Sequence, residues 1–205
     1  MKEHNILGVI LAGGKSSRFG SNKSLSNLSN SKLIEHVINK INKHFTEILI
    51  ISNDSKLILD YPNIKIIKDC KEGYLGPLVG VLSAMKYANQ NNKYNWVITF
   101  PCDTPFFDEI IIEKMIKKTF SKKDKIFLIK EKKQRHNIFG IWSTSLEKIL
   151  EQDINNNIRK VDIWADKIGC NLIEKNIKNE NEFLNINTKE ELELAEMLYK
   201  KNDFI

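Results

Sequence analysis

Short apolar runs alternate with longer segments of helical periodicity along the 205 residues of this chain. The apolar runs predict five strands, at Ile6 to Leu11, Glu47 to Ser52, Ile64 to Ile67, Trp96 to Phe100 and Ile126 to Ile129. Apolar residues that recur every three or four positions predict five helices, near Lys32 to His44, Leu78 to Asn89, Glu109 to Phe120, Thr144 to Glu151 and Lys189 to Lys200. This alternation predicts an α/β fold: a mainly parallel sheet with helices on both faces, which is a three-layer α/β/α sandwich.

The second half of the chain carries less regular signals. Lys130 to Gln134 is rich in charge and predicts an exposed turn into a strand from Asn137 to Trp142. Asp153 to Asn157 predicts a linker, and Arg159 to Lys167 predicts a short helix. No repeat and no convincing boundary divides the sequence, so we expect a single domain over residues 1–205.

The last predicted helix has a clear start. Thr188 is followed three residues later by Glu191, which is the spacing of a capping box. One apolar stripe then follows, formed by Leu192, Ala195, Leu198 and Tyr199.

Glycine and proline are concentrated in three short segments that follow predicted strands. These segments hold six of the nine glycines (Gly13, Gly14, Gly20, Gly73, Gly76, Gly80) and three of the four prolines (Pro77, Pro101, Pro105). Ligands of open α/β sheets bind at the edge where parallel strands end. Composition alone therefore predicts one ligand site at that edge.

The first of these segments has the character of a phosphate-binding loop. It follows a buried strand and holds glycines together with three cations, Lys15, Arg18 and Lys23. Bare backbone N–H groups and fixed positive charge suit a polyphosphate. The common P-loop pattern fails because Phe19 stands where it needs glycine, and the dinucleotide pattern fails because Gly13 and Gly14 are adjacent. We expect this loop to hold a nucleotide.

The run from Leu11 to Lys23 resembles the signature L-A-G-G-x-x-x-R-[MF]-G-x-x-K of nucleotidyltransferases that activate sugars and cofactors. Within that group the chain resembles the molybdenum cofactor guanylyltransferases, the MobA family. The resemblance resumes in four further segments, at Gly76 to Gly80, Phe100 to Phe106, Arg135-His136 with Phe139-Gly140, and Phe183 to Thr188. It implies a Rossmann-like nucleotidyltransferase fold and transfer of GMP from GTP to molybdenum-loaded molybdopterin, with release of pyrophosphate and with Mg²⁺ as cofactor.

The resemblance also implies roles for residues at the nucleotide end. Lys23 is assigned to the α-phosphate, Arg18 to the β- and γ-phosphates, and Asp103 to Mg²⁺, for which a carboxylate is a suitable hard ligand. Asp69 corresponds to a nucleoside-binding position, where a carboxylate suits either the guanine N1–H and amino group or the ribose. The implied GTP-binding set is Leu11, Ala12, Gly13, Gly14, Lys23, Asn53, Asp69, Gly76 and Asp103.

The acceptor end is implied by the later segments. Arg135 and His136 precede a predicted strand, and Arg159 and Lys160 open a basic patch. Asn185 and Asn187 are two apart on a segment predicted to be extended, so they are expected to face the same way, with Asn187 as a second candidate near the metal. The family often has proline after the histidine, whereas this chain has Asn137. Arg18, Arg135 and Arg159 are the only arginines of the chain. An arginine binds a phosphate or carboxylate through a bidentate fork that lysine lacks, so each of the three is a candidate for such binding.

Composition argues against other classes of protein. The net charge of +6 comes from lysines scattered along the chain, with no aromatic-interleaved basic stripe, so nucleic acid is not an expected partner. The N-terminal residues lack the layout of a signal peptide and no apolar run reaches the length of a membrane span, so we expect a cytoplasmic protein without membrane contact. The three cysteines form no C-x-x-C pair.

Three alternatives to a guanylyltransferase stay open at this point. One is a cytidylyltransferase acting on the same pterin, although such relatives have T-A-A-G where this chain has Leu11 to Gly14. A second is a nucleotidyltransferase with a sugar-phosphate acceptor. The third is a non-catalytic nucleotide-binding adaptor that delivers cofactor. A transient contact with a molybdoenzyme apoprotein or its chaperone is compatible with each pterin-linked alternative.

Overall fold

A computed structural model describes residues 5–13, 25–73, 75–121, 123–176 and 179–201. The strands are β1 (Ile6–Leu11), β2 (Asn27–Leu28), β3 (Ser31–Lys32), β4 (Ile48–Ile51), β5 (Ile64–Ile67), β6 (Trp96–Pro101), β7 (Ile126–Glu131), β8 (Gln134–Ser143) and β9 (Asn171–Glu174). The helices are α1 (Leu33–Ile41), α2 (Pro77–Asn91), α3 (Ile110–Lys118), α4 (Glu147–Asn155), α5 (Val161–Ile168) and α6 (Lys189–Lys200).

Seven strands form one sheet in the order β5-β4-β1-β6-β8-β7-β9, and β2 pairs with β3 in a separate hairpin. Within the seven-stranded sheet β8 runs antiparallel to both of its neighbours, and the remaining pairs are parallel. The predicted α/β class with a mainly parallel sheet is therefore confirmed.

The alternation of side chains along β1 explains the three layers. Ile6 and Ile10 point into one hydrophobic cluster, which is completed by α1 and α3, whereas Leu7 and Val9 point into a second, completed by α2, α4 and α5. All four side chains are fully buried. A strand covered on both faces needs apolar residues at every position, which is why this segment is a continuous apolar run.

The predicted linker at Asp153 to Asn157 is wrong at its start, because α4 continues through Asn155. Ile154 is buried in the core, and the buried Asp153 accepts hydrogen bonds from Trp164 Nε1 at 3.1 Å and from Lys167 Nζ at 2.5 Å. These contacts to α5 hold the last turn of α4 in place. Residues 156 and 157 form the turn that follows, with Asn157 at a φ of 66°.

Helix α6 begins as predicted. Glu191 N–H donates to Thr188 Oγ1 at 3.2 Å, and the Glu191 carboxylate accepts the Thr188 N–H at 2.9 Å. Of the predicted apolar stripe only Ala195 is fully buried, and Tyr199 is 41% exposed with its ring edge against His36. In the part of the chain that the structure describes, no helix has the length and apolar character needed to cross a bilayer.

Candidate active site

A cleft of about 440 Å³ opens at the edge where β1, β4, β5 and β6 end. Its lining comes from all three segments that the glycine and proline distribution marked, and from residues in or just after neighbouring strands: Leu11, Gly13, Ile51, Asp69, Gly73, Gly76, Pro77, Gly80, Pro101, Asp103 and Ile138. The predicted position of the site at the carboxyl edge of the sheet agrees with this cleft.

The segment before α2 directs the N-terminus of that helix at the cleft. Gly76 has a φ of 89°, a conformation that residues with a Cβ rarely adopt, and Pro77 occupies the first helical position. Gly80 lies so close to β1 that a Cβ built on it would be 2.9 Å from Leu11 Cδ2. The N-terminus of a 15-residue helix, with its partial positive charge, thus faces the space where a phosphorylated ligand would lie.

Asn53 and Asp69 form a side-chain pair at the ends of β4 and β5. Asn53 Nδ2 donates to Asp69 Oδ2 at 2.7 Å, and the Asp69 N–H donates back to Asn53 Oδ1 at 3.1 Å. Burial raises the pKa of Asp69, and the hydrogen bond from Asn53 opposes that rise. The backbone of Gly13 passes beside the carboxylate, since a Cβ there would lie 3.5 Å from Asp69 Oδ2. Asp69 lines the cleft, and the hydrogen bond from Asn53 orients the Asp69 carboxylate.

Asp103 follows β6 and lines the same cleft. Its backbone carbonyl accepts the N–H of Ile186 at 2.9 Å, which joins this loop to the segment carrying Asn185. The next residue, Thr104, is 1% exposed and donates through its hydroxyl to Asn185 Oδ1. The neighbouring strand ends are also tied together: Ala12 N–H donates to Ile51 O at 2.9 Å and Cys102 N–H to Leu11 O at 3.3 Å.

The donor set around Asp103 suits Mg²⁺ held jointly with phosphates. No group of three or more His, Cys, Asp or Glu side chains comes together among the described residues, so an all-protein metal cage is absent from that part of the chain. Mg²⁺ in nucleotide sites is commonly bound by one or two carboxylates, with substrate phosphates and water completing the octahedron. Asp103 fits that mode, and the second acidic residue of the cleft, Asp69, is engaged by Asn53.

Asn185 and Asn187 are both exposed, and Ile186 between them is fully buried. The two asparagines therefore share exposure to solvent, but the segment belongs to no strand, so the strand on which their common orientation was predicted does not extend to Asn187. The segment is held instead by the bond from Ile186 N–H to Asp103 O and by the bond from Asn187 N–H to Glu191 Oε2 at 2.5 Å. Asn185 is joined to the Asp103 loop through Thr104, whereas Asn187 lies at the start of α6.

The basic acceptor candidates do not form one cluster through their side chains. Arg135 Nη1 donates to Asp166 Oδ1 of α5 at 2.7 Å. The Arg159 guanidinium bonds to Ile154 O at the end of α4 and to Asn157 Oδ1 at 3.1 Å. Lys160 is exposed and precedes α5. The Arg159 backbone nevertheless lies beside the segment that precedes α2, since a Cβ on Gly76 would lie 3.5 Å from Arg159 O.

His136 stacks on Phe183, with ring centroids 3.8 Å apart and an interplanar angle of 21°. Its Nε2 lies 3.5 Å from Glu131 Oε2. Burial lowers the pKa of His136, against the opposing effect of Glu131. The imidazole is therefore biased towards its neutral form and lies edge-on to Phe139 as part of an aromatic cluster.

The turn that carries Phe183 is fixed by a buried ammonium group. Lys175 has a side chain only 3% exposed, and its Nζ lies 3.1 Å from Glu182 Oε2 and 3.2 Å from Asp108 Oδ2. Two carboxylates around one buried cation compensate the cost of its desolvation. The chain leading to Asn185 is thereby held against the start of α3.

Sequence reasoning missed Ile51 and Ile138 as cleft residues. Each is an apolar residue within a strand, and such a residue carries no chemical signal that separates a ligand contact from core packing. Gly14 of the implied GTP-binding set, and Arg18 and Lys23, to which the phosphate roles were assigned, lie outside the described residues.

The family model described as the MobA-like NTP transferase domain matches residues 8–166. Among curated proteins, the molybdenum cofactor guanylyltransferase of Shewanella woodyi is 32% identical over 197 residues, which cover 94% of this chain and 96% of the relative. That of Shewanella halifaxensis is 31% identical over 184 residues, covering 89% and 90%.

Solved structures share the fold. Molybdopterin-guanine dinucleotide biosynthesis protein A from Archaeoglobus fulgidus superposes with a TM-score of 0.79 at 23% identity, covering 95% of this chain and 99% of that one. CMP:2-keto-3-deoxy-manno-octonic acid synthetase in complex with CTP superposes with a TM-score of 0.76 at 11% identity, covering 97% and 99%. At these identities the likeness shows the nucleotidyltransferase fold alone.

Proposed function

Because this chain belongs to the MobA-like NTP transferase family, we propose that it transfers GMP from GTP to molybdenum-loaded molybdopterin and releases pyrophosphate. The observation that carries the proposal is the joint presence, in one cleft, of two acidic residues and a helix N-terminus. These three groups are Asp69, the start of α2 at Pro77, and Asp103. Activation of a phosphorylated acceptor by a nucleoside triphosphate needs each of them.

Asp69 is the group we assign to the guanine base. An ionised carboxylate accepts two hydrogen bonds side by side, and guanine presents N1–H and an amino group in that arrangement, whereas cytosine presents no such pair. Asn53 holds one oxygen of Asp69 at 2.7 Å, which fixes the plane of the carboxylate before the base arrives. The ribose and base then lie against Gly13 and Gly76, where the backbone leaves room.

Asp103 is the residue we assign to Mg²⁺, together with Asn187 as a second candidate. A bound Mg²⁺ would neutralise charge that develops on the phosphates during transfer. Lys23 and Arg18 of the first loop are assigned to the α-phosphate and to the β- and γ-phosphates. Fixed positive charge there disperses the charge of the departing pyrophosphate.

The reaction joins an oxygen of the acceptor phosphate to the α-phosphorus of GTP and breaks the bond between the α-phosphorus and the bridging oxygen to the β-phosphate. The acceptor phosphate is already ionised near neutral pH, so no general base is required. Correct placement in line with the leaving group is the main task of the protein. For the acceptor we assign Arg135, His136, Arg159, Lys160, Asn185 and Asn187.

The proposal includes a cellular setting. We place the reaction in the cytoplasm and assign the product to a molybdoenzyme apoprotein or its chaperone, reached through a transient contact. No nucleic acid or membrane partner is part of the proposal.

Pyrophosphate release should be measured with each of the four NTPs, Mg²⁺ and molybdenum-loaded molybdopterin. Release with GTP that depends on the pterin is the expected result. Preferential use of CTP would replace the proposal with a cytidylyltransferase. Turnover with a sugar phosphate instead of the pterin would replace the acceptor, and nucleotide binding without turnover would indicate an adaptor.

A further inference from the structure

Strand β8 contains a bulge of three residues beside the cleft. Leu128 of β7 pairs with Gly140, but the next residue, Ile129, pairs with His136. Asn137, Ile138 and Phe139 therefore lie between the paired positions with no partner on β7. Bulges bend a strand and re-aim its side chains, and they recur next to active sites.

The bulge sends neighbouring side chains in different directions. Phe139 is 2% exposed and packs edge-to-face against Phe107 and Phe183, with centroids 5.2 and 5.3 Å apart. Ile138 is only partly buried and lines the cleft. The bulge thus buries Phe139 in the core and exposes the preceding residue, Ile138, to the cleft.

A buried pair of side chains holds the backbone of the bulge. Trp142 Nε1 donates to Thr99 Oγ1 at 2.9 Å, and Thr99 Oγ1 donates to Ile138 O at 2.6 Å. Because the indole already donates to the hydroxyl oxygen, the hydroxyl proton is committed to a carbonyl of β8. Thr99 and Trp142 are both fully buried, so each bond forms in a medium where loss of a partner is costly.

The neighbouring backbone explains why the Thr99 side chain, and not a backbone N–H of β6, bonds to Ile138 O. The ladder between β6 and β8 ends at the pair of Thr99 and Gly140, and Pro101 further along β6 has no N–H to offer to the bulge. Gly140 leaves the space in which the indole lies, since a Cβ there would be 2.4 Å from Trp142 Cζ2. The Thr99 hydroxyl therefore donates a hydrogen bond to β8 at the point where the backbone pairing with β6 ends.

Strand order fixes the part of the ligand that Ile138 can meet. Asp69 follows β5 at one side of the sheet, Asp103 follows β6, and Ile138 lies in β8, which is the next strand beyond β6. With the nucleoside at Asp69 and the phosphates approaching Asp103, the space at Ile138 belongs to the group that receives the nucleotide.

We propose that Ile138 is an apolar contact for the heterocyclic acceptor, and that Thr99 is a positioning residue that keeps Ile138 in the cleft through its bond to Ile138 O. The inference rests on the proposed function, which supplies the direction of the ligand across the sheet. A branched aliphatic side chain gives a planar ring system a desolvated surface and fixes its plane without competing for its hydrogen-bonding groups.

The test is the acceptor KM and the GTP Kd of Ile138→Ala, Thr99→Val and Thr99→Ser. We expect the first two variants to raise the KM for molybdopterin about tenfold, which is typical for loss of a small apolar contact, while GTP binding measured by calorimetry without pterin is unchanged. Thr99→Ser keeps the hydroxyl and should restore the wild-type KM. Ile149→Ala, a substitution at a 45%-exposed isoleucine on α4, serves as the control and should change neither value.

The folding of Thr99→Val has to be checked before its KM is interpreted. Circular dichroism and thermal melting establish that Thr99→Val is folded, and Ile138→Ala tests the contact independently, since Ile138 is not a fully buried core residue. Wild-type turnover with an unchanged acceptor KM in both variants would overturn the inference alone. Weaker GTP binding by Ile138→Ala would also overturn it, because Ile138 would then belong to the nucleotide. Absence of pterin-dependent pyrophosphate release from the wild-type protein would overturn both the proposed function and the inference.

Discussion

Asn53 and Asp69 hold each other through two hydrogen bonds, one from the Asn53 side-chain amide at 2.7 Å and one from the Asp69 backbone N–H at 3.1 Å. The pair ties together the ends of two adjacent strands. Because each residue is both donor and acceptor, neither side chain can turn without breaking a bond. A half-buried carboxylate is thereby kept in one orientation at the cost of desolvation.

That cost predicts a conflict between stability and binding at Asp69. Burial raises the pKa of Asp69 above its usual value, so the ionised form is disfavoured in the folded protein. By linkage, the contribution of this group to stability is fully present below the unfolded pKa and is lost as the pH rises through the raised folded pKa. At pH 7 Asp69→Asn should therefore melt at the same or a higher temperature than the wild type, while its affinity for GTP falls.

The two measurements for Asp69→Asn are thermal melting at pH 7 and calorimetric titration with GTP. Asp60→Asn, at an exposed position outside the cleft, is the matched control and should change neither. A lower melting temperature together with full GTP affinity would contradict the role assigned to Asp69.

Removal of the orienting partner should act through the same carboxylate. In Asn53→Ala the hydrogen bond that lowers the pKa of Asp69 is lost, so that pKa should rise further. GTP binding should then weaken on acidification at a higher pH than in the wild type. Titration of the GTP phosphates affects both proteins alike, so the difference between their pH profiles reports Asp69, and identical profiles would exclude this coupling.

Two nucleotide analogues distinguish base recognition from ribose recognition. Inosine triphosphate lacks the amino group of guanine, and 2′-deoxy-GTP lacks one ribose hydroxyl. If Asp69 reads the base, inosine triphosphate should bind roughly 10- to 100-fold more weakly, the usual range for a lost hydrogen bond to a charged group, while 2′-deoxy-GTP binds nearly as well as GTP. The opposite ranking would move Asp69 to the ribose.

Asp103→Asn tests the metal assignment. The substitution keeps the shape of the side chain and removes its charge, so turnover should fall by roughly 10²-fold or more at ordinary Mg²⁺. The fold should persist, because the contact of this loop with Ile186 is made by the Asp103 backbone carbonyl. A near-normal rate, with melting unchanged, would remove Asp103 from the metal site.

Lysine substitutions of the three arginines should give separable faults, because lysine keeps the charge and loses the fork. Arg18→Lys should weaken GTP use, whereas Arg135→Lys and Arg159→Lys should raise the requirement for pterin and leave GTP binding alone. Arg159→Lys should also lose roughly 1 kcal/mol of stability, about 2–4 °C in Tm, since the guanidinium bonds to Ile154 O and Asn157. Identical kinetic profiles for all three would show that this division of the site is wrong.

The sequence was most informative where one local pattern decided the structure. Ile6–Leu11 is apolar throughout and is a central strand, and Thr188 with Glu191 starts α6 as predicted. Strand β9 was missed because only Ile173 of its four residues is buried, and its pairing with β7 is what makes it a strand. The clustering of glycine and proline located the cleft for a physical reason: these residues mark the turns at strand ends.

Other parts of the site depend on partners far away in sequence. Nothing in the local sequence shows that Trp142 donates to Thr99 and that Thr99 in turn donates to Ile138 O. Nothing local shows either that Asn53 orients Asp69. The pairing of Arg135 with Asp166 likewise joins two segments that sequence reasoning treated separately. Such relationships arise from the packing of the whole sheet, which periodicity does not encode.

The close approach of Gly80 to Leu11 brings α2 directly against β1, and both elements border the cleft. Helix α2 rests directly on the strand from which the first loop departs, so a displacement of the helix is passed to that strand without an intervening hinge. Less freedom remains to be lost when a ligand bridges the two, and the entropic penalty of association is correspondingly smaller. An alanine at position 80 would press on the Leu11 side chain, which would have to shift before α2 could keep its place against β1, although Gly80 itself has no reactive group.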